Sequence, residues 1–387
     1  MVGCPRSGTY VFIDALVRRL QVAAMAETHF IPVFRRRLFL FGNLKERKNR
    51  ARLLDAIEEF LAIWMLVEAP GATSDDRVSA SPIIGLLNRE GILAASNDFD
   101  SLVAALFVET ARAQASLFGL ARKNTGDAPL AVVEKSAFFW PVDVNDQIVI
   151  APDAHVKVIH VVRDGRDTAY SLSESWMGQC SVPTAAALWA SHVESKADWA
   201  RATKIDHRTI RYEDFVRDPD GVVDGLGGFL GMNRSADAND STLFSEVIAR
   251  QSTHERLSAP PDMRSVGKHR RELDPAVIEE VEAVCADQLL AYGYSVPEGS
   301  GSAASKKRKE RLRLWRIKYL CSSLALKRGV KWGLPILITF LPAWWTSSLY
   351  VFLSRRSDRT WIDYVRTKRY LAMEKRRTKR ANDYVGQ

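Results

Sequence analysis

Two short segments carry the residues best suited to holding anions. The first, Gly3-Cys4-Pro5-Arg6-Ser7-Gly8-Thr9-Tyr10, opens the chain and runs into an amphipathic stretch from 11 to 26 that reads as a helix. A loop bracketed by glycines can turn successive backbone N–H groups inward, and at a helix N-terminus it becomes a phosphate or sulfate cradle. The spacing Gly3-x4-Gly8 equals that of the nucleotide-binding P-loop, yet Thr9 stands where that loop has its lysine. Arg6 supplies positive charge from inside the loop instead. Taken alone, the segment fits an ordinary turn before a helix equally well.

The second segment, Val162-Arg163-Asp164-Gly165-Arg166-Asp167-Thr168-Ala169-Tyr170-Ser171, lies where a β-branched run, 156–162, gives way to a helical pattern over 167–177. In open α/β sheets that junction is where ligands bind. Arg163 can grip a phosphate through two N–H groups, and Ser171, two turns into the helix, can add a hydroxyl. The plainer alternative is surface pairing of Arg163 with Asp167 and of Arg166 with Asp164.

Further along, Glu27-Thr28-His29-Phe30 offers two bases, Glu27 and its rival His29, and Glu134-Lys135-Ser136 offers a cation. Arg211-Tyr212-Glu213-Asp214-Phe215 and Val266-Gly267-Lys268-His269-Arg270-Arg271-Glu272-Leu273 add an aromatic hydroxyl and a basic turn. Tyr212 reads equally as a core aromatic with a satisfied hydroxyl, and Lys268 and Arg270 as a solvated basic turn. The histidines are scattered and no carboxylate cluster has ligand spacing, so no metal is expected.

Taken in order, these segments resemble the sulfotransferase family over about residues 3–294, most closely its tyrosylprotein and bacterial carbohydrate or lipid type. The resemblance implies 3′-phosphoadenosine 5′-phosphosulfate (PAPS) as co-substrate, with Pro5, Arg6, Ser7, Gly8, Thr9 and Tyr10 at its 5′-phosphosulfate. It implies Arg163 and Ser171 at the 3′-phosphate, and Tyr212, Lys268 and Arg270 as further nucleotide contacts. Glu27, 21 residues after Arg6, is implied as the catalytic base. Lys135, with Arg6, is implied at the moving sulfuryl group. Departures are Tyr10 for the usual Thr or Ser, Ser136-Ala137 for Thr-Pro, and His269 for Trp. Only Met1 and Val2 precede the loop, whereas the family's first strand needs several more residues; the expectation is a truncated start, the alternatives being a misassigned one or a stunted central strand. The acceptor expected is a hydroxyl on a glycolipid, lipid or glycan. A P-loop kinase, disfavoured by the missing lysine, and a non-catalytic membrane-binding scaffold are the competing readings.

The elements that must position these residues follow from periodicity. Strand-like runs at 156–162 and 209–212 alternate with helical patterns at 45–67 and 99–120 and after Asp218-Pro219. The expected fold is a three-layer, P-loop-like α/β domain over 1–296 with a central parallel sheet and a helical insertion at about 30–125. Residues 297–305, PEGSGSAAS, read as a linker. The four cysteines stand singly and suit a reducing compartment, and no secretory signal opens the chain.

Charge sets the remainder apart. Residues 306–387 hold 22 Lys+Arg against 5 Asp+Glu, a balance of +17, whereas 1–305 hold 33 against 41, a balance of −8. The uncharged run 332–354, WGLPILITFLPAWWTSSLYVFLS, is long enough to cross a bilayer. Two prolines, a central Trp-Trp and equally basic flanks instead favour an in-plane or re-entrant segment. This helical, partly hydrophobic tail is expected to hold the chain on the cytoplasmic side of an anionic membrane, with no nucleic-acid partner.

Overall fold

The structure is a computed structural model of the 387-residue chain. It describes residues 1–20, 22–26, 30–67, 84–118, 131–135, 148, 155–174, 181–232 and 263–297. Glu27, His29, most of the linker, the tail at 306–387 and its run at 332–354 lie outside the described residues.

The sheet is parallel. Strand β1 (Val2–Gly3) pairs with β4 (Val158–Val162), which pairs with β5 (His207–Arg211); Val2 stands opposite His160 and Val162 opposite Arg211. Strands β2 (Ala23–Ala26) and β3 (Val132–Lys135) form a second parallel pair in which Ala26 faces Lys135. The Met1 nitrogen donates to the Glu134 carbonyl at 2.6 Å, tying that pair to the start of β1.

All five residues of β4 are buried, as expected of a β-branched strand covered on both faces. Its side chains alternate between two cores. Ile159 and Val161 join a cluster with Phe12, Ile13, Leu16, Phe215 and Leu226, whereas Val162 joins one with Leu172, Trp189, Val284 and Leu289. Helix α1 (Thr9–Leu20) therefore lies on one face, and helices α6 (Gly165–Ser173), α7 (Val182–Ala202) and α11 (Pro275–Ala291) lie on the other. On the α1 side, α8 (Tyr212–Arg217) and α9 (Pro219–Leu230) complete the layer, and Phe12 meets Phe215 edge-on at 4.9 Å. The three-layer expectation holds.

Between β2 and β3 the described chain is helical: α2 (Phe30–Arg35), α3 (Arg47–Val67), α4 (Arg89–Ala94) and α5 (Phe99–Phe118). These helices close their own core around Phe34, Leu54, Ile57, Phe60, Ile92 and Leu106. Asn88 starts α4 by accepting from the Gly91 N–H at 3.0 Å.

One element departs from the sequence reading. The amphipathic pattern over 11–26 stops at Leu20, and Ala23–Ala26 is strand β2. Alanine and methionine have little strand preference of their own; pairing with β3 overrides the local pattern.

Candidate active site

Four of the candidate positions lie at one edge, just past the carboxyl ends of the parallel strands. The 3–10 loop leaves β1, Arg163 follows β4, Tyr212 follows β5, and Lys135 closes β3 opposite the last residue of β2. Ligands bind at this edge in α/β sheets because loops diverge there and helix N-termini point into the gap.

The first loop is shaped as a cradle. Ser7 N–H donates to the Cys4 carbonyl at 3.1 Å, and Arg6 and Gly8 both take left-handed backbone conformations, φ 71° and 80°. Arg6 is the only non-glycine residue with a positive φ among the described residues. Left-handed residues in a tight turn are the backbone geometry from which anion-binding loops are built. Gly8 also packs directly on Tyr212, since a Cβ there would sit 2.2 Å from the tyrosine ring. The loop and the β5–α8 junction are thus built against each other. The Ser7 hydroxyl is fully buried, with no hydrogen-bond partner among the described residues. Pro5 and Thr9 are buried in the same turn.

Arg6 Nε donates to Ser171 Oγ at 3.1 Å, joining the loop to α6. Arg163 donates from Nη1 to the Arg6 carbonyl at 3.1 Å and from Nη2 to the Ser265 carbonyl at 2.7 Å, and its guanidinium lies 5.1 Å from the Tyr212 ring centre. Its buried Nε has no partner among the described residues. Tyr212 is a buried core aromatic with a satisfied hydroxyl, which meets Ser265 Oγ at 3.0 Å. Lys135, 1% exposed, places its ammonium 3.5 Å from the Tyr10 ring centre, a cation–π contact that holds a buried charge beside the loop.

The basic turn is only partly gathered in. Lys268 lies over the Tyr170 ring at 4.8 Å. Arg270 is exposed on helix α10 (His269–Glu272) and makes no side-chain hydrogen bond among the described residues.

The aspartates of the second segment do more than pair on the surface. Arg166 does bind Asp164, at 2.7 Å, but the pair is buried and Glu282 of α11 completes it at 2.5 Å. Asp164 also starts α6, accepting from the Arg166 N–H at 2.9 Å, and its own N–H donates to Glu213 at 2.9 Å. Burial pushes the Glu213 carboxyl above the usual range, against the opposing pull of its hydrogen bonds from the Asp164 N–H and the Tyr294 hydroxyl. Asp167 accepts from Gly267 N–H at 2.7 Å and from both the N–H and the ring Nδ1 of His269, at 2.8 and 2.6 Å. Burial opposes its ionisation, but the His269 hydrogen bonds and the Arg163 charge outweigh it and hold the carboxyl below its ordinary value. Asp167, Glu213 and Ser265 were not legible as site residues, because their partners lie far away in the chain.

The arrangement gathers three cationic side chains, Arg6, Lys135 and Arg163, around the loop after β1, groups whose chemistry suits anions. Among the described residues no group of three or more His, Cys, Asp or Glu is placed to hold a metal ion.

Comparison with known proteins agrees with this chemistry. The profile of the Sulfotransferase family matches residues 1–236. Among solved structures, the chain is similar to the sulfotransferase domain of the olefin synthase from Synechococcus PCC 7002, at 17% identity and a TM-score of 0.47, covering 76% of this chain and 94% of that one. No curated protein sequence matches.

Proposed function

Because the chain belongs to the sulfotransferase family, we propose that it transfers the sulfuryl group of PAPS to a hydroxyl of a glycolipid, lipid or glycan. The observation that carries the donor assignment is the contact between two separate anion-binding segments, Arg6 Nε to Ser171 Oγ, with Arg163 bridging them. A donor bearing a 5′-phosphosulfate and a 3′-phosphate matches two such segments; a donor with one polyphosphate chain does not. Thr9 at the position of the P-loop lysine disfavours a kinase for the same reason.

In this reading the acceptor oxygen attacks sulfur in line, the bond from sulfur to the bridging phosphate oxygen breaks, and adenosine 3′,5′-bisphosphate leaves. The backbone N–H groups of the 6–9 turn, with Ser7 and Thr9, hold the 5′-phosphate at the N-terminus of α1. Lys135 and Arg6 offset charge building on the bridging oxygen. Arg163 and Ser171 take the 3′-phosphate, with Tyr212, Lys268 and Arg270 around it. Glu27 receives the acceptor proton. It is the residue that follows Ala26 in the sequence, and Ala26 pairs with Lys135. His29 is its rival.

We further propose that residues 306–387 hold the enzyme on an anionic membrane, bringing it to acceptors that reside there; the +17 balance supports this. No helix among the described residues is long and apolar enough to cross a bilayer.

Calorimetry with adenosine 3′,5′-bisphosphate and with ATP tests the donor assignment. Clearly tighter binding of the bisphosphate is expected, and equal affinities would contradict it.

A further inference from the structure

Residues 263–272 carry Arg264, Lys268, Arg270 and Arg271 within a short, largely solvent-facing segment. Met263, Arg264, Arg270 and Arg271 are exposed, and Val266 is the segment's one side chain packed on the hydrophobic core among the described residues, so apolar burial alone seats it weakly. It also lies against Arg163, whose Nη2 reaches the Ser265 carbonyl. Five positive charges against the single exposed carboxylate of Glu272 leave a net repulsion in so small a region unless a further counter-charge holds them.

Asp167 is that counter-charge. Its carboxylate is completely buried in the first turn of α6. One oxygen takes the Gly267 N–H, and the other takes both the N–H and the ring Nδ1 of His269. Gly267 adopts φ 65°, which turns the chain back on itself so that two nearby N–H groups can face one carboxylate. Lys268 sits between the two fastened residues, and Asp167 is four positions after Arg163 on the same strand–helix junction.

We propose that Asp167 and His269 form a latch that fixes residues 263–270 beside Arg163, making both of them positioning residues for donor binding; this rests on the donor reading above. Without the latch, Lys268 and the Ser265 contacts to Arg163 and Tyr212 lose their fixed place. The nucleotide must then order the segment as it binds, and affinity falls.

Two measurements on the full-length protein test this. In the ligand-free protein, Asp167→Asn should speed hydrogen exchange at the Gly267 and His269 amides by about tenfold or more, since both lose a charged acceptor. In calorimetry with adenosine 3′,5′-bisphosphate, Asp167→Asn and His269→Ala should each weaken binding by about tenfold or more. His269→Asn places an amide N–H where the imidazole Nδ1–H stood, and should recover affinity to within about threefold of wild type. A merely structural role would lower the melting temperature of all three variants without that rescue. Unchanged amide exchange overturns the latch whatever the nucleotide does. Faster exchange with unchanged bisphosphate affinity, in a protein where Arg163→Ala does lose affinity, overturns the positioning role and leaves the donor reading standing. A wild-type protein that ignores the bisphosphate overturns the donor reading, and the positioning role with it.

Discussion

Arg6 and Ser171 stand 165 positions apart in the chain, yet the arginine Nε donates to the serine hydroxyl at 3.1 Å. The contact joins the loop after β1 to the helix after β4, bringing together the two segments whose residue types best suit anions.

Gly8→Ala should damage the cradle at its base. The left-handed backbone at φ 80° disfavours any side chain by about 1–2 kcal/mol, and the new methyl would press on the Tyr212 ring at 2.2 Å. A loss of at least that size in urea unfolding, with bisphosphate binding strongly reduced, is expected. Full stability and binding would mean that the loop and Tyr212 are not packed as described.

Arg163→Ala should weaken adenosine 3′,5′-bisphosphate binding by about 1.5–3 kcal/mol, the range for a hydrogen bond to a charged group. Calorimetry reads this directly. Its effect on ATP should be smaller, because ATP has no 3′-phosphate to lose.

Glu27→Gln should leave bisphosphate affinity intact and lower turnover by about 10²–10⁴, the usual contribution of a general base. Steady-state rates set against calorimetric affinity separate the two effects. If turnover survives, the base is His29, and His29→Ala should then show the loss.

His160 makes the fold sensitive to mild acid. It is buried on β4 with its Nε2 unpartnered among the described residues, and burial, helped by the nearby charges of Lys196 and His192, depresses its pKa from 6.5 to about 3. Below pH 6.5 the unfolded chain therefore takes up a proton that the folded chain refuses until about pH 3. Stability should fall as pH drops through that window, by up to about 1.4 kcal/mol per unit. Urea midpoints at pH 7.5 and 5.5 should show the drop, and His160→Gln should flatten it. The Asp167 carboxyl acts in the same direction but only at lower pH, because the unfolded chain begins to protonate it at the ordinary carboxylate value whereas the folded chain holds it ionised to lower pH.

Deletion after Ser305 should release the protein from anionic vesicles completely, whereas high salt should release the full-length chain only in part. Salt screens the tail's +17 charge but not the apolar run at 332–354. Cysteine labels near Lys309 and Arg377 should react from one side of a sealed membrane. Reaction from opposite sides would show a spanning segment, and a full-length protein that ignores vesicles would end the membrane proposal.

What the sequence disclosed follows from how local each signal is. The β4 run, the Asp218-Pro219 start of α9 and the helices near 47–67 and 99–118 were readable because a strand or helix writes its own period into a few neighbouring residues. The glycine-bracketed loop and the Arg163–Ser171 spacing were readable for the same reason. Strand β2 was not, because Ala-Ala-Met-Ala becomes a strand only through its pairing with β3. Asp167 was hidden more deeply: its partners, Gly267 and His269, lie 100 and 102 positions away. Beside Arg163 and Arg166 it looks like one more surface charge. The Arg166–Glu282 pair, 116 positions apart, was concealed in the same way.

The proposed reaction moves a sulfuryl group from PAPS to a hydroxyl acceptor. It is tested most directly by incubating the full-length protein with PAPS carrying a labelled sulfur and a host lipid and glycan extract, then separating the products by mass spectrometry. The account predicts labelled species bearing one added sulfo group, formed together with adenosine 3′,5′-bisphosphate and absent with Arg6→Ala or Arg163→Ala. No transfer of label to any extract component, by a folded protein that binds the bisphosphate, would contradict it.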